Sequence, residues 1–474
     1  MIILNKYSAC TSIIIGKKAS TDGSIMIGRN EDCKSSWPKH FVVHSAKKFK
    51  KENVFKSNDN DFKISLPLTR YKYSATPEWT TKYGLFEENG FNEYGVAMSA
   101  TESAYSNSQV LGYDPLVKDG IGEEAMVTVV LPYVKTARDG VKRLGNIVSK
   151  YGTCESNGVL FADKAEAWYM ETGSGHHWVA KKIPDDSYAV ISNQLSIENI
   201  DFNDKENYLY SENIYDFVNK NNLQTSEDDQ FNFRNIFGIR DVDDTKYNNP
   251  RVWYGQKMFN PKIKQGPKEH NMPFVRKAEK LLSIDDAQRF LSSHFEGTKY
   301  DPVGDGEEND KKMFRPVSLA KTQEAHVLQI QPKLPTSIGC VQWIAMGVAA
   351  ESTFVPFYQG IDDTPEQYKK GEINYDPNSA YWIFKLAGVL VDAHYKYFIS
   401  DLEDLQKEMK ILIRQNMIKI EHQYLEKNKN NGWLTEKNNK LAEKILQEYQ
   451  KFAYRTISKS TDFSPLNYKQ NLDL

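Results

Sequence analysis

Cys10 is where chemistry would have to begin. It heads the apolar, β-branched run Thr11 to Gly16, behind the small-residue junction Ser8-Ala9-Cys10-Thr11. Removal of Met1 to Ala9 would make Cys10 the first residue, with its thiol beside its own α-amino group. An amine of unperturbed pKa ~7.7–8.0 accepts a proton near neutral pH and helps generate thiolate. A lone cysteine is more often a small buried hydrophobe, and that reading stands for Cys33, Cys154 and Cys340, which lack such a setting. The cluster Gly28-Arg29-Asn30-Glu31-Asp32 closes the next apolar run. An exposed ion pair is the ordinary fate of such residues. Set opposite Cys10, Arg29 would lower the thiol pKa, and Asp32 would orient the α-amino group or hold substrate. Asn193, in "VISNQ", either closes a turn or donates its amide to an oxyanion. Arg251, in "YNNPRVW", is either a surface-loop residue or a clamp on a carboxylate.

The elements that position these residues follow from local pattern. Thr11 to Gly16, the turn signal Thr21-Asp22-Gly23 and Ser24 to Gly28 read as a hairpin, which carries Cys10 to the Arg29/Asp32 end of its partner. "YGVAMSAT" reads as a strand, and Glu123 to Tyr151 as a helix broken near Pro132. "GVLFAD", "AEAWYMET", "HHWVAKKI" and "YAVISN" look like an antiparallel meander. Strand-rich blocks interleaved with helical ones predict an α+β chain of sheets layered with helices. Beyond Asn374 the pattern turns helical from Ser379 to about Lys427, then again from about Thr435 to Tyr454 after "NKNNGW". This tail packs its apolar stripe on the body or on a neighbouring subunit.

Composition narrows the function classes. The 474 residues are 40% hydrophobic and 26% charged with a formal net charge of −2, a soluble globular balance with no long-range pull on nucleic acid or membrane. Four widely spaced cysteines form no C-x-x-C pattern, which fits a reducing compartment. No apolar run approaches the ~18 residues of a membrane span, and nine residues before Cys10 are too few for a secretory signal. The expected location is cytoplasmic. His176-His177 alternate across a strand and cannot jointly chelate a metal, and no H-E-x-x-H, P-loop or dinucleotide fingerprint occurs. Neither metal nor cofactor is expected.

Five segments, "ACTSIIIGKKASTDGSIMIGRNED", "GLFEENGFNEYGVAMSATES", "AVISNQ", "YNNPRVW" and "VQWIAMG…FVPFYQG", occur in an order that resembles the dipeptidase A family of cysteine peptidases. That family is a branch of the N-terminal-nucleophile hydrolases, more distantly similar to bile-salt hydrolases and penicillin V acylases. The resemblance implies a four-layer α/β/β/α fold over residues 10–372, preceded by a propeptide-like leader at residues 1–9 and followed by a helical extension over 373–474. Position by position it implies Cys10 as nucleophile, Arg29 and Asp32 beside it, Asn193 at the oxyanion and Arg251 as a distal active-site arginine. The strand after "NEYG" ends in Thr101 and Glu102, where the bile-salt hydrolases carry an amide. Glu102 is expected to meet a substrate ammonium and Thr101 to lie beside it. The implied activity is cysteine-type hydrolysis of dipeptides through a Cys10 thioester. Two readings compete with it: an acylase cleaving a non-peptide amide with the same nucleophile, and a non-catalytic scaffold that associates through its helical tail.

Overall fold

The computed structural model describes residues 9–225, 230–239 and 241–466. The leader expected over residues 1–9 lies outside the described residues, apart from the backbone of Ala9. In chain order, the strands of the two principal sheets are β1 (Ala9–Ile15), β2 (Ile25–Asp32), β3 (Asn89–Phe91), β4 (Ala97–Ser103), β5 (Asn157–Ala162), β6 (Ala167–Thr172), β7 (Trp178–Ile183), β8 (Tyr188–Ile191), β9 (Tyr208–Tyr210), β10 (Val275–Arg276), β11 (Thr322–Ile330), β12 (Cys340–Met346) and β13 (Val355–Tyr358). One sheet runs β10-β8-β1-β2-β11-β12-β13 and the other β9-β7-β6-β5-β4-β3, with every pairing antiparallel. The chain is thus a mixed α+β structure.

The first hairpin forms as its sequence predicts. Gly23 takes a φ of +79°, the left-handed conformation its turn requires, and the register sets Cys10 opposite Glu31 and Ser12 opposite Arg29. Alternation then sorts the side chains into two environments. Ile14, Ile25 and Ile27 enter the core between the two sheets with Leu160 and Tyr169. Ile13, Ile15 and Met26 enter the opposite core, shared with Phe290 and the C-terminal helices. Cys10, Ser12, Arg29 and Glu31 therefore share the inter-sheet face, whereas Thr11 and Asp32 belong to the other.

The "meander" divides. Its first three strands become β5, β6 and β7, but "YAVISN" leaves that sheet and pairs as β8 with β1, Ser12 facing Ile191. Crossing over at this point carries Asn193 to the nucleophile. The helices used below are α1 (Glu123–Val130), α2 (Ala137–Tyr151), α3 (Asn249–Phe259), α4 (Ile284–Leu291), α5 (Ala380–Ala393), α6 (Tyr395–Glu426) and α7 (Asn431–Ser460). The break near Pro132 is a short 3-10 turn, Leu131–Tyr133. α1 and α2 cover the outer face of the β3–β7 sheet, and α4 packs on β1, β2 and β11. The long tail helix is interrupted at His394, and α7 extends beyond the Thr435–Tyr454 expectation at both ends. Buried Leu402, Leu405, Ile445 and Tyr449 join the same core as β12 and β13. Among the described residues no helix is long and apolar enough to cross a membrane.

Candidate active site

Cys10 lies near the end of β1, where the inter-sheet core runs out into a cleft of about 210 Å³. Its Sγ is 3.1 Å from Arg29 Nη1, the diagonal neighbour that the hairpin register supplies. Arg29 is fully buried. Its Nη1 also donates to Thr101 O at 2.7 Å, and its Nη2 to Ala100 O at 2.9 Å and to the carboxylate of Glu88. Glu123 Oε1 stands 3.9 Å from Nη1. Burial pushes the Cys10 thiol well above its ordinary value, Arg29 opposes that, and Glu102, Glu123 and Asp32 add to it. The guanidinium is thus shared between the thiol and the carboxylate of Glu88.

Asn193 sits just beyond the end of β8. Its Oδ1 accepts from Cys10 N at 3.3 Å and from Arg251 Nη2 at 2.9 Å. One N–H of its Nδ2 goes to Ser103 O at 3.0 Å, and the second has no protein partner among the described residues. The amide thus holds the backbone nitrogen of Cys10 and keeps one donor in reserve.

Arg251 is neither in a surface loop nor available as a clamp. It lies in α3, fully buried, with Pro250 in the first turn of that helix. Its N–H groups go to Tyr247 O, Thr11 Oγ1, Asn193 Oδ1, Asn248 Oδ1 and the carbonyl of Cys10. Five donors meet five acceptors, so none remains for a substrate carboxylate. Burial, with Arg315 nearby, lowers its pKa to about 9. Asp32 borders the cleft, but it faces away from the thiol and accepts from Arg315 and Thr322.

Thr101 contributes its carbonyl to Arg29. Glu102, expected at the substrate's ammonium, does not line the cleft. It is wholly buried against β1, where its Oε2 accepts from Ser12 Oγ at 2.5 Å. Burial raises its pKa to about 7 against the pull of Arg251, Ser12 and Arg29. The carboxylates that do line the cleft with Asp32 are Glu31, Glu78, Glu88 and Glu123. Sequence reasoning missed these four and Arg315. For Glu31 the signal was present: strand alternation puts it, not Asp32, on the face of Cys10 and Arg29. Glu88 and Glu123 come from the segments before β3 and at the start of α1, beyond any local pattern.

Of the other cysteines, Cys33 lines the same cleft but is exposed, and Cys154 and Cys340 lie outside it. Desolvation, with Glu31, Glu78 and Glu123 nearby, raises Cys33 to about 11, and burial raises Cys340 to about 12 and pushes Cys154 up as well. A larger hollow of about 410 Å³, between Gln288 and Lys410, contains no cysteine. Among the described residues no three His, Cys, Asp or Glu side chains are grouped to hold a metal.

Comparison with known proteins gives the chain a family. The family model of peptidase family C69 matches residues 9–408. The chain is 42% identical over 470 residues to a protein named probable dipeptidase from Latilactobacillus sakei, covering 99% of each chain. It is 39% identical to probable dipeptidase B of Lactococcus lactis subsp. lactis, over 92% of this chain and 93% of the relative. To dipeptidase A of Lactobacillus helveticus it is 38% identical, over 84% and 85% respectively.

Proposed function

The chain belongs to peptidase family C69 and is a peptide-bond hydrolase, and from that premise we propose that it is a dipeptidase acting through a Cys10 thioester. The observation that carries the mechanism is the paired environment of Cys10: Sγ at 3.1 Å from Arg29, and its backbone nitrogen at 3.3 Å from Asn193 Oδ1. Once residues 1–9 are removed, that nitrogen is an α-amine, held by Asn193 within reach of the thiol. The amine takes the thiol proton, and sulfur attacks the scissile carbonyl. The second N–H of Asn193 and a backbone N–H stabilise the oxyanion. The C–N bond then breaks as the ammonium of Cys10 returns its proton to the leaving amine. Water, losing a proton to the same amine, opens the thioester, and the released acid leaves the thiol restored. Arg29 steadies the sulfur, Arg251 fixes the Cys10 carbonyl and Asn193, and Asp32 anchors Arg315 at the rim.

The fold reading that goes with this is the four-layer α/β/β/α arrangement of N-terminal-nucleophile hydrolases, with residues 373–474 as a helical extension of the body. It is supported by two antiparallel sheets sharing a core and by helices on their outer faces. A cleft of about 210 Å³, below the ~300–1,000 Å³ of drug-sized ligand sites, suits a small substrate. Its acidic lining suits a substrate bearing a cation better than the neutral acyl chain of an acylase substrate.

A panel of dipeptides and N-acyl amino acids tests the proposal. Wild type is expected to hydrolyse dipeptides in the presence of EDTA and to lose activity with iodoacetamide. Cys10→Ala should be inert, whereas Cys33→Ala, Cys154→Ala and Cys340→Ala should keep substantial turnover. Full activity in Cys10→Ala, or hydrolysis confined to N-acyl substrates, overturns it.

A further inference from the structure

The wall of the cleft beside Cys10 carries acceptor atoms that have no donor among the described residues. Glu88 is 1% exposed; one of its oxygens is bound by Arg29, and Oε1 has no partner. Glu31 is 6% exposed, with Oε1 bound by Lys39 Nζ at 3.0 Å and Oε2 unpartnered. Gln323 donates to Trp37 O at 2.9 Å and leaves its own Oε1 empty. All three residues line the cleft. Buried acceptors left unpaired are costly, so native structures leave few without a purpose. Arg29 and Lys39 already balance Glu88 and Glu31. Among the described residues Glu123 has no cation of its own and only the distant edge of Arg29, 3.9 Å away.

What fits such a wall is a compact cation with several N–H groups. A primary ammonium presents three donors and no acceptor. Resting on the dipeptidase reading, we propose that this wall is the subsite for the α-ammonium of the substrate's first residue, with Glu123 as its counter-charge and Glu31, Glu88 and Gln323 as its hydrogen-bond acceptors.

Substrate geometry agrees. Arg29 Nη1 is 3.1 Å from Sγ and 3.9 Å from Glu123 Oε1, so that carboxylate oxygen lies no more than about 7 Å from the sulfur. In a peptide the α-nitrogen is one carbon from the scissile carbonyl, about 2.5 Å from its carbon given bonds of ~1.46 and ~1.52 Å. With that carbon ~3–3.5 Å from sulfur in an attack-ready pose, the ammonium reaches Glu123 without further extension. Burial, with Glu88 and Glu155 nearby, pushes the Glu123 carboxyl up to about 8, a cost that an incoming cation relieves. Glu102, beneath β1, is not part of this wall.

Calorimetric titration of a Cys10→Ala protein freed of residues 1–9 through an engineered protease site before residue 10, which binds without turnover, provides the test. The two probes are alanylalanine and N-propionylalanine, which is alanylalanine without its amino group. The expected result is a preference of about tenfold or more for alanylalanine, the scale of a charged hydrogen-bonded contact. Adding Glu123→Gln should weaken alanylalanine to the level of N-propionylalanine while leaving the latter unchanged, and Glu123→Asp should restore part of the preference. Equal binding of the two probes to Cys10→Ala overturns the inference, and this comparison needs no variant of Glu123. So does an unchanged preference in a folded Glu123→Gln protein. Should wild type cleave dipeptides while Glu123→Gln keeps the preference, the subsite fails and the dipeptidase reading stands. A Glu123-dependent preference without dipeptide turnover by wild type has the opposite meaning.

Discussion

Replacing Arg29 by methionine isolates the energetics on which the site depends. Arg29 and Glu88 are both buried, and their side chains are directly paired. Removing one partner of such a pair leaves a charge stranded out of water, at a cost of ~3–5 kcal/mol. Here the loss also strips donors from Ala100 O and Thr101 O. An unfolding entropy of ~2.1 cal/mol/K per residue, taken over 474 residues, makes each kcal/mol worth about 1 °C. Arg29→Met should therefore lower Tm by about 3–5 °C in matched calorimetric scans. The double variant Arg29→Met/Glu88→Leu removes both charges and should recover most of that loss, because a well-packed apolar replacement of a buried pair is close to neutral. Arg29 also favours the Cys10 thiolate against burial, so iodoacetamide should label Arg29→Met more slowly at neutral pH. A single variant within 1 °C of wild type, or a double variant no better than the single, would refute this account of the pair.

Three further outcomes follow from the same geometry. Glu102 is fully buried with a folded pKa of about 7, above the unfolded carboxylate value of ~4.3. The native state therefore holds a proton that the unfolded chain has released. The stability it lends is complete below ~4.3 and is lost as pH rises through 7, at about 1.4 kcal/mol per pH unit between those limits. Glu102→Gln should flatten the fall of Tm between pH 5 and 7, and an unchanged slope would clear Glu102 of that role. Asn193→Ala should depress kcat by about 10²–10³-fold with a smaller effect on KM, as loss of an oxyanion donor does; a change in KM alone would assign the residue to binding. Intact-mass analysis should find active protein beginning at Cys10 and Cys10→Ala protein retaining residues 1–9. A fully active species that still carries the leader would eliminate the α-amine as base.

The parts of this site legible in the sequence are those governed by short-range rules. A turn signal and two apolar runs suffice to pair Cys10 with the Arg29 end of β2, because hairpin register is local. The helix break at Pro132 and the C-terminal helices are legible for the same reason. Asp32 was misjudged through one step of alternation: three residues from Arg29, it must point to the opposite face of β2, where Arg315 holds it. "YAVISN" was placed with the wrong neighbours because strand pattern reports burial, not the sheet a strand joins. Arg251 was misread for a further reason. A proline followed by arginine suits a loop as well as the first turn of a helix, and only the packing of α3 beside β8 decides between them.

The acidic wall belongs to a different category. Glu88 meets Arg29 across 59 residues of sequence and from the segment just before β3 of the other sheet, and Glu123 arrives at the first turn of α1. No periodicity marks either residue, since both sit at the ends of elements where side chains leave the repeating pattern. Behind the wall Arg29 pairs with Glu88 and Lys39 with Glu31, and those two cations are themselves fixed by the hairpin and by the loop that follows it. The thiol and the wall beside it are therefore coupled through one guanidinium. A change that moves Arg29 would alter thiol reactivity and, at the proposed subsite, cation recognition together, whereas Glu123, at 3.9 Å from that guanidinium and on its own helix, acts on the sulfur through its charge.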